Sequence, residues 1–156
     1  MLNIVLVEPE IPPNTGNIGR LCLATGAHLH LVGPLGFSLE DRALRRAGLD
    51  YWHLVRVSRW ADLPELWRHA GEEARFWYLT TKATRPYWEE SFRPNDYLVF
   101  GRETKGLPEP LLAANRERIL TIPMQNDSTR SLNLATAVAI VLYEGMRQLS
   151  GATKDP

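Results

Sequence analysis

Residues 6–22 read LVEPEIPPNTGNIGRLC, and the fold turns on how this stretch is divided. Residues 2–7 are apolar and rich in β-branched side chains on both faces, the pattern of a strand buried in a parallel sheet. A turn follows, and Pro12-Pro13 argues against helix immediately before Asn14. Asn14 or Thr15 then caps a helix that runs to about Thr25 and ends at Gly26. Gly16 and Gly19 let the backbone come close to another group. Arg20 places a permanent charge one turn into this helix, just ahead of the apolar LCLA.

The alternation continues along the chain. Further strands are expected at 28–32, 54–57, 76–79, 97–100 and 119–122. Between them, Ser38 caps a helix that stops at Gly48, and Asp62 opens one with Pro64 in its first turn. Residues 80–95 form a long loop, Pro108 opens a short helix to about Ala114, and Ser131 starts a final helix ending near Leu149. Strands alternating with helices imply an α/β fold, a parallel sheet flanked by helices. The reading gives one domain over 1–150 and a frayed tail at 151–156. The last helix, LATAVAIVLYEGM, is apolar around nearly its whole circumference. It is therefore covered on more than one side, by the core or by a second subunit.

Composition narrows the function classes. The 156 residues carry 18 basic and 18 acidic side chains, so any phosphate or RNA site must be a local cluster. Cys22 is the sole cysteine, which allows no intrachain disulfide and fits a reducing, cytoplasmic setting. The N-terminal run lacks a basic flank and a cleavage site, so it reads as a strand and not a signal peptide. The longest nearly apolar run, 134–143, is about half a bilayer span, so no membrane partner is expected.

Three loops of unusual composition fall at strand carboxyl ends, where open α/β sheets bind ligands. The first, NTGNIGR, matches neither G-x-G-x-x-G nor a P-loop. The second, LVFGRETKGLP at 98–108, offers Gly101 for close ligand approach and Glu103 as a hydrogen-bond acceptor. The third, TIPMQNDSTRSLNLATA at 121–137, feeds Ser131 and Asn133 into a helix N-terminus, a place with free N–H groups. Each loop alone is equally consistent with a plain capped helix or an exposed turn.

As a set, these loops together with LRRAGLDYW (44–52) and YLTTK (78–82) resemble the SPOUT class of S-adenosylmethionine-dependent RNA methyltransferases. Within it, the chain is most similar to the small bacterial tRNA 2′-O-methyltransferases that modify the wobble nucleotide, a cytidine or modified uridine. The resemblance spans essentially the whole chain. It implies a SPOUT-type parallel sheet with a C-terminal deep trefoil knot, and a homodimer with the last helix in its interface. It also implies a cofactor pocket at Leu79, Gly101, Glu103, Ile122, Met124, Ser131 and Leu132. Arg20 matches the catalytic arginine, and Asn14 and Asn133 match substrate-side positions. The loop QNDST after Met124 is longer than the resemblance implies, and Ala135 stands where relatives often carry Ser.

The implied reaction is attack of a ribose 2′-hydroxyl on the activated methyl of S-adenosylmethionine, leaving S-adenosylhomocysteine. An always-protonated Arg20 stabilises charge or holds a phosphate more readily than it removes a proton. Arg46, with Arg42 and Arg45 on one helix, is a candidate for tRNA phosphate, as is Tyr143 for substrate or dimer contact. His28 and His30 lie two apart on a strand, but no carboxylate cluster accompanies them and no metal is expected. Two competing readings remain. A dinucleotide-dependent oxidoreductase lacks its glycine fingerprint here. A non-catalytic RNA-binding dimer would not need Arg20, Glu103, Ser131 and Asn133 together.

Overall fold

The computed structural model describes residues 1–47, 51–126 and 131–151. Six strands form one sheet: β1 (Asn3–Val7), β2 (His28–Val32), β3 (Val57–Trp60), β4 (Phe76–Leu79), β5 (Tyr97–Phe100) and β6 (Ile119–Leu120). Their order is β3-β2-β1-β5-β4-β6, and every pairing is parallel. The central strands are apolar on both faces because helices cover both sides. One face packs Ile4, Leu29 and Leu98 with α1 (Pro12–Thr25) and α5 (Leu134–Gly151). The other packs Val5, Tyr78 and Val99 with α3 (Leu63–Ala70) and α4 (Glu109–Ala114). A short α2 (Arg42–Ala47) lies against α1.

Several expected boundaries move, each for a local reason. Helix α1 begins at Pro12, with Ile11 as its N-cap, so neither Asn14 nor Thr15 caps it. Proline fits there because first-turn N–H groups have no helical partner. Asp41, not Ser38, caps α2, its carboxylate accepting from the N–H of Ala43 and Leu44 at 2.8 and 3.2 Å. The third strand lies at Val57–Trp60, because Trp52–Leu54 coil into a 3-10 turn. It is an edge strand, which tolerates the polar Ser58 and Arg59. Strand β6 stops at Leu120, since Thr121 exchanges backbone bonds with Arg85 and Tyr87 instead. The final helix begins at Leu134 with Asn133 as its cap, Oδ1 accepting from Thr136 N–H at 3.2 Å. The expected stop at Gly48, part of the long loop after Met124 and most of the tail lie outside the described residues.

The two glycines of NTGNIGR serve helix packing. A Cβ on Gly16 would stand 2.1 Å from the Leu44 carbonyl oxygen, and one on Gly19 would stand 2.4 Å from the Trp52 ring. Helix α1 thus lies directly on α2 and on the buried Trp52.

The C-terminal path positions the site. From edge strand β6 the chain returns across the sheet, and α5 packs on α1 and β5. The 80–95 loop holds it there: Gln148 accepts from Phe92 N–H at 2.8 Å and donates to Glu90 O at 2.9 Å. Leu134, Val138, Val141, Leu142 and Gly145 are buried, while Thr136, Tyr143 and Arg147 face outward. No helix among the described residues is long and apolar enough to cross a membrane.

Candidate functional site

Parallel strands bring the loops after β4, β5 and β6 to one end of the sheet. There they enclose a cavity of about 480 Å³ whose walls include Asn14, Gly101, Glu103, Ser131, Leu132 and Asn133. A smaller hollow of about 80 Å³ adjoins it, lined by Leu79, Ile122, Met124 and Leu132. Thr80, Thr81 and Leu132 border both, so the two form one cleft with a roomy polar chamber and an apolar slot. The combination suits a ligand with a flat apolar ring at one end and charged groups at the other. Every residue expected at the cofactor lines one part or the other.

Two clasps hold the chamber together. Asn133 Nδ2 donates to Asn14 Oδ1 at 3.0 Å, joining the start of α5 to the first turn of α1. Glu103 accepts from the backbone N–H of Glu10 and Ile11 at 2.9 and 3.1 Å. In return, Glu10 accepts from the N–H and hydroxyl of Thr104 at 3.1 and 2.8 Å. Those bonds from Thr104 hold the Glu10 carboxyl below its ordinary pKa. Glu103 therefore faces the β1–α1 loop as well as the chamber. Gly101 is explained by its own loop: a Cβ there would meet the Gly106 carbonyl carbon at 2.2 Å.

The chamber rim is cationic but largely paired. Arg102 bridges to Glu8 at 3.1 Å, and Lys82 pairs with Glu109. Lys105 adds a further positive charge to the lining. Glu10, Thr80, Thr81 and Thr104 lie inside the quoted motifs, but the sequence alone assigns them no place at the site. The threonines had a signal, since they fall directly after β4 and inside the Gly101–Gly106 turn. Glu10 had none beyond its place in the first loop.

The remaining expected residues stand apart. Arg20 is exposed on α1, outside the lining of both hollows, with no ion pair to another described residue. Arg46 is exposed on α2, and Arg45 beside it pairs with Glu40 at 2.9 Å. Tyr143 is exposed on the outer side of α5. His30 lies in the core, where Trp60 Nε1 donates to its Nδ1 at 3.0 Å and its Nε2 meets Asn3 Oδ1 at 2.9 Å. Burial, then His28, His69 and Arg56, push its pKa down to about 3. Among the described residues no group of His, Cys, Asp and Glu is arranged to hold a metal ion.

Comparison with known proteins points the same way. A tRNA (cytidine(34)-2′-O)-methyltransferase from Yersinia pestis is 51% identical over 154 residues, covering 96% of this chain and 94% of its own. A solved structure described as giving insight into 2-OH methylation of C/U34 on tRNA superposes with a TM-score of 0.91. It is 44% identical, and the match covers 97% of each chain. An AdoMet-bound rRNA methyltransferase from Sinorhizobium meliloti gives a TM-score of 0.80 at 27% identity, covering 95% of this chain and 56% of that one. The model of the SpoU rRNA methylase family matches residues 1–143, and with a relative 51% identical over nearly its full length, the chain belongs to that family.

Proposed function

We propose that this protein transfers a methyl group from S-adenosylmethionine to the ribose 2′-hydroxyl of the wobble nucleotide of tRNA. The observation that carries the reading is the two-part cleft at the strand ends, set in a chain closely related to enzymes of that name. The residues present fit the cofactor. Leu79, Ile122, Met124 and Leu132 would hold the adenine in the apolar slot, with Thr80 and Thr81 at its border. Gly101, Glu103 and Ser131 would bound the ribose and methionine end. S-adenosylmethionine, when bound, supplies the activated methyl group.

The chain's own contribution is chiefly positioning, which holds two reactants in near-attack geometry. The Asn14–Asn133 bond fixes the chamber wall on the substrate side. Arg20, exposed on α1, is free to hold an RNA phosphate and to favour the ionised form of the attacking hydroxyl. Because it lies outside the cavity lining of its own chain, it acts where RNA or a second copy closes over α1. A homodimer through α1 and α5 is consistent with the exposed Leu23 on α1 and Tyr143 on α5. A trefoil knot is consistent with the hydrogen bonds that Thr121, just after β6, and Gln148, on α5, both make to the 80–95 loop. Cytoplasmic location follows from the substrate.

The test is transfer of tritium from labelled S-adenosylmethionine to tRNA, followed by nucleoside analysis of the product. The reading expects a 2′-O-methylated nucleoside at the wobble position, lost in Arg20→Ala, with cofactor affinity retained. Tight cofactor binding without incorporation would favour a non-catalytic RNA-binding role.

A further inference from the structure

The outer edge of β4 is only half covered. Strand β6 pairs with Tyr78 and Leu79 and leaves Phe76 and Trp77 without a strand partner on that side. Around this bare edge, at the opposite end of the sheet from the cleft, two hollows meet at Arg118. On the α3–α4 face, a hollow of about 300 Å³ is lined by Trp67, Phe76, Tyr78, Asn115 and Arg118. On the other face, one of about 250 Å³ is lined by Arg75, Trp77, Ser91, Arg93 and Arg118 with Glu90. Alternation along β4 sends aromatic rings to both faces, so the groove wraps one strand edge.

Its charge is unbalanced. Arg75 is held by Glu90 at 3.5 Å and Asp96 at 3.4 Å, and Glu90 also takes Arg85 at 2.5 Å. Asp96 is buried and further engaged by Trp77 Nε1 and the Arg93 N–H. Both carboxylates are thus committed, and among the described residues no ion pair reaches Arg93 or Arg118. Arg118 lies 5.4 Å from the centre of the Trp77 ring, and Arg75 lies 5.0 Å from it. On the aromatic side, Asn115 Nδ2 donates to Leu111 O at 2.8 Å, which leaves its Oδ1 to accept.

We propose that this edge groove is a second RNA contact that seats one nucleotide of a single-stranded segment. The phosphate sits between Arg93 and Arg118, and the base lies on the half-exposed Trp67. Asn115 Oδ1 accepts from an amino group on the base edge. Surplus arginine beside an aromatic platform and a free amide acceptor is the chemistry by which proteins hold unpaired nucleotides. The choice of tRNA as the RNA rests on the function proposed above; the groove itself does not.

The experiment compares wild type with Arg93→Gln/Arg118→Gln, both exposed positions, and with Trp67→Ala. The expected result for the double variant is a KM for bulk tRNA raised about tenfold, with kcat and S-adenosylmethionine affinity unchanged. The slope of log affinity against log salt should fall by about one or more. Trp67→Ala should weaken binding without changing that slope. Unchanged KM and slope in the double variant would overturn the proposal. So would a changed sedimentation mass at unchanged RNA affinity, which would make the groove an interface between copies. If wild type methylates no tRNA, the function fails separately, and binding of a fluorescent single-stranded RNA oligonucleotide still decides the groove by the same variants.

Discussion

Glu10 and Glu103 cross-link two loops in opposite directions, each carboxylate accepting hydrogen bonds from the backbone of the other's loop. The arrangement closes one side of the cleft with charge-assisted bonds, which are stronger than neutral ones. In Glu103→Gln, one of the two accepting oxygens becomes an NH₂ group set against a backbone N–H of Glu10 or Ile11, so one bond is lost. A loss near 1.4 kcal/mol corresponds to about a tenfold weaker cofactor. Calorimetric titration with S-adenosylmethionine measures this. Affinity equal to wild type would show that the clasp does not shape the pocket.

Asn133 does two tasks with two atoms. Its Oδ1 caps α5 through Thr136 N–H, and its Nδ2 donates to Asn14. Asn133→Asp keeps the cap, and a carboxylate at a helix N-terminus is favourable. The same change sets an oxygen against Asn14 Oδ1 and breaks the link between α5 and α1. The expected outcome is an unchanged or slightly raised Tm with methyl transfer reduced at least about tenfold, a separation that a purely structural role would not produce. Asn14→Ala, tested alongside, should show the same loss of transfer.

Burial on both faces makes β1, β4 and β5 legible as largely apolar or aromatic runs, while β2 shows itself through Leu29, Leu31 and Val32 alongside two histidines. Strand β3 was misplaced because it is an edge strand with polar Ser58 and Arg59, while the apolar run beside it ends in a 3-10 turn. Helix starts were the weakest part. Several residues around 11–15, 38–41 and 131–133 carry suitable capping groups, and the tertiary path selects among them. At the site, the glycine-rich and serine-asparagine loops announced themselves by composition. Glu10 did not, because a carboxylate in a turn reads as solvated, and its partner Thr104 lies 94 residues away. The placement of Arg20 outside its own chain's cavity is likewise invisible in a linear motif.

The close approach of α1 to Trp52 gives a stability prediction. A methyl group at Gly19 would lie 2.4 Å from one ring carbon and 2.8 Å from another. Trp52 is buried and has little room to move. Alanine improves helix propensity by about 1 kcal/mol, whereas overpacking costs about 1–3 kcal/mol. Gly19→Ala should therefore be destabilised or at best neutral in urea unfolding, and adding Trp52→Leu should relieve the clash. A Gly19→Ala variant clearly more stable than wild type would contradict the packing described.

The His30 network sets an acid limit on the fold. Trp60 Nε1–H donates to Nδ1, so that nitrogen keeps its lone pair and Nε2–H donates to Asn3 Oδ1. The folded ring is therefore neutral, and burial is the first cause that pushes its pKa to about 3, from 6.5 in a solvated chain. Above pH 6.5 neither state takes up this proton, and His30 adds no pH dependence. Below 6.5 the unfolded chain binds a proton that the folded chain refuses, so stability falls with pH until about 3. The loss from this one side chain reaches about 2 kcal/mol by pH 5. His28, lowered to about 4 chiefly by burial, acts in the same sense. Urea unfolding of wild type and His30→Gln at pH 7.5 and pH 5 isolates the effect. The variant starts less stable but should lose less stability on acidification, and equal losses in the two proteins would reject the assignment of a neutral His30.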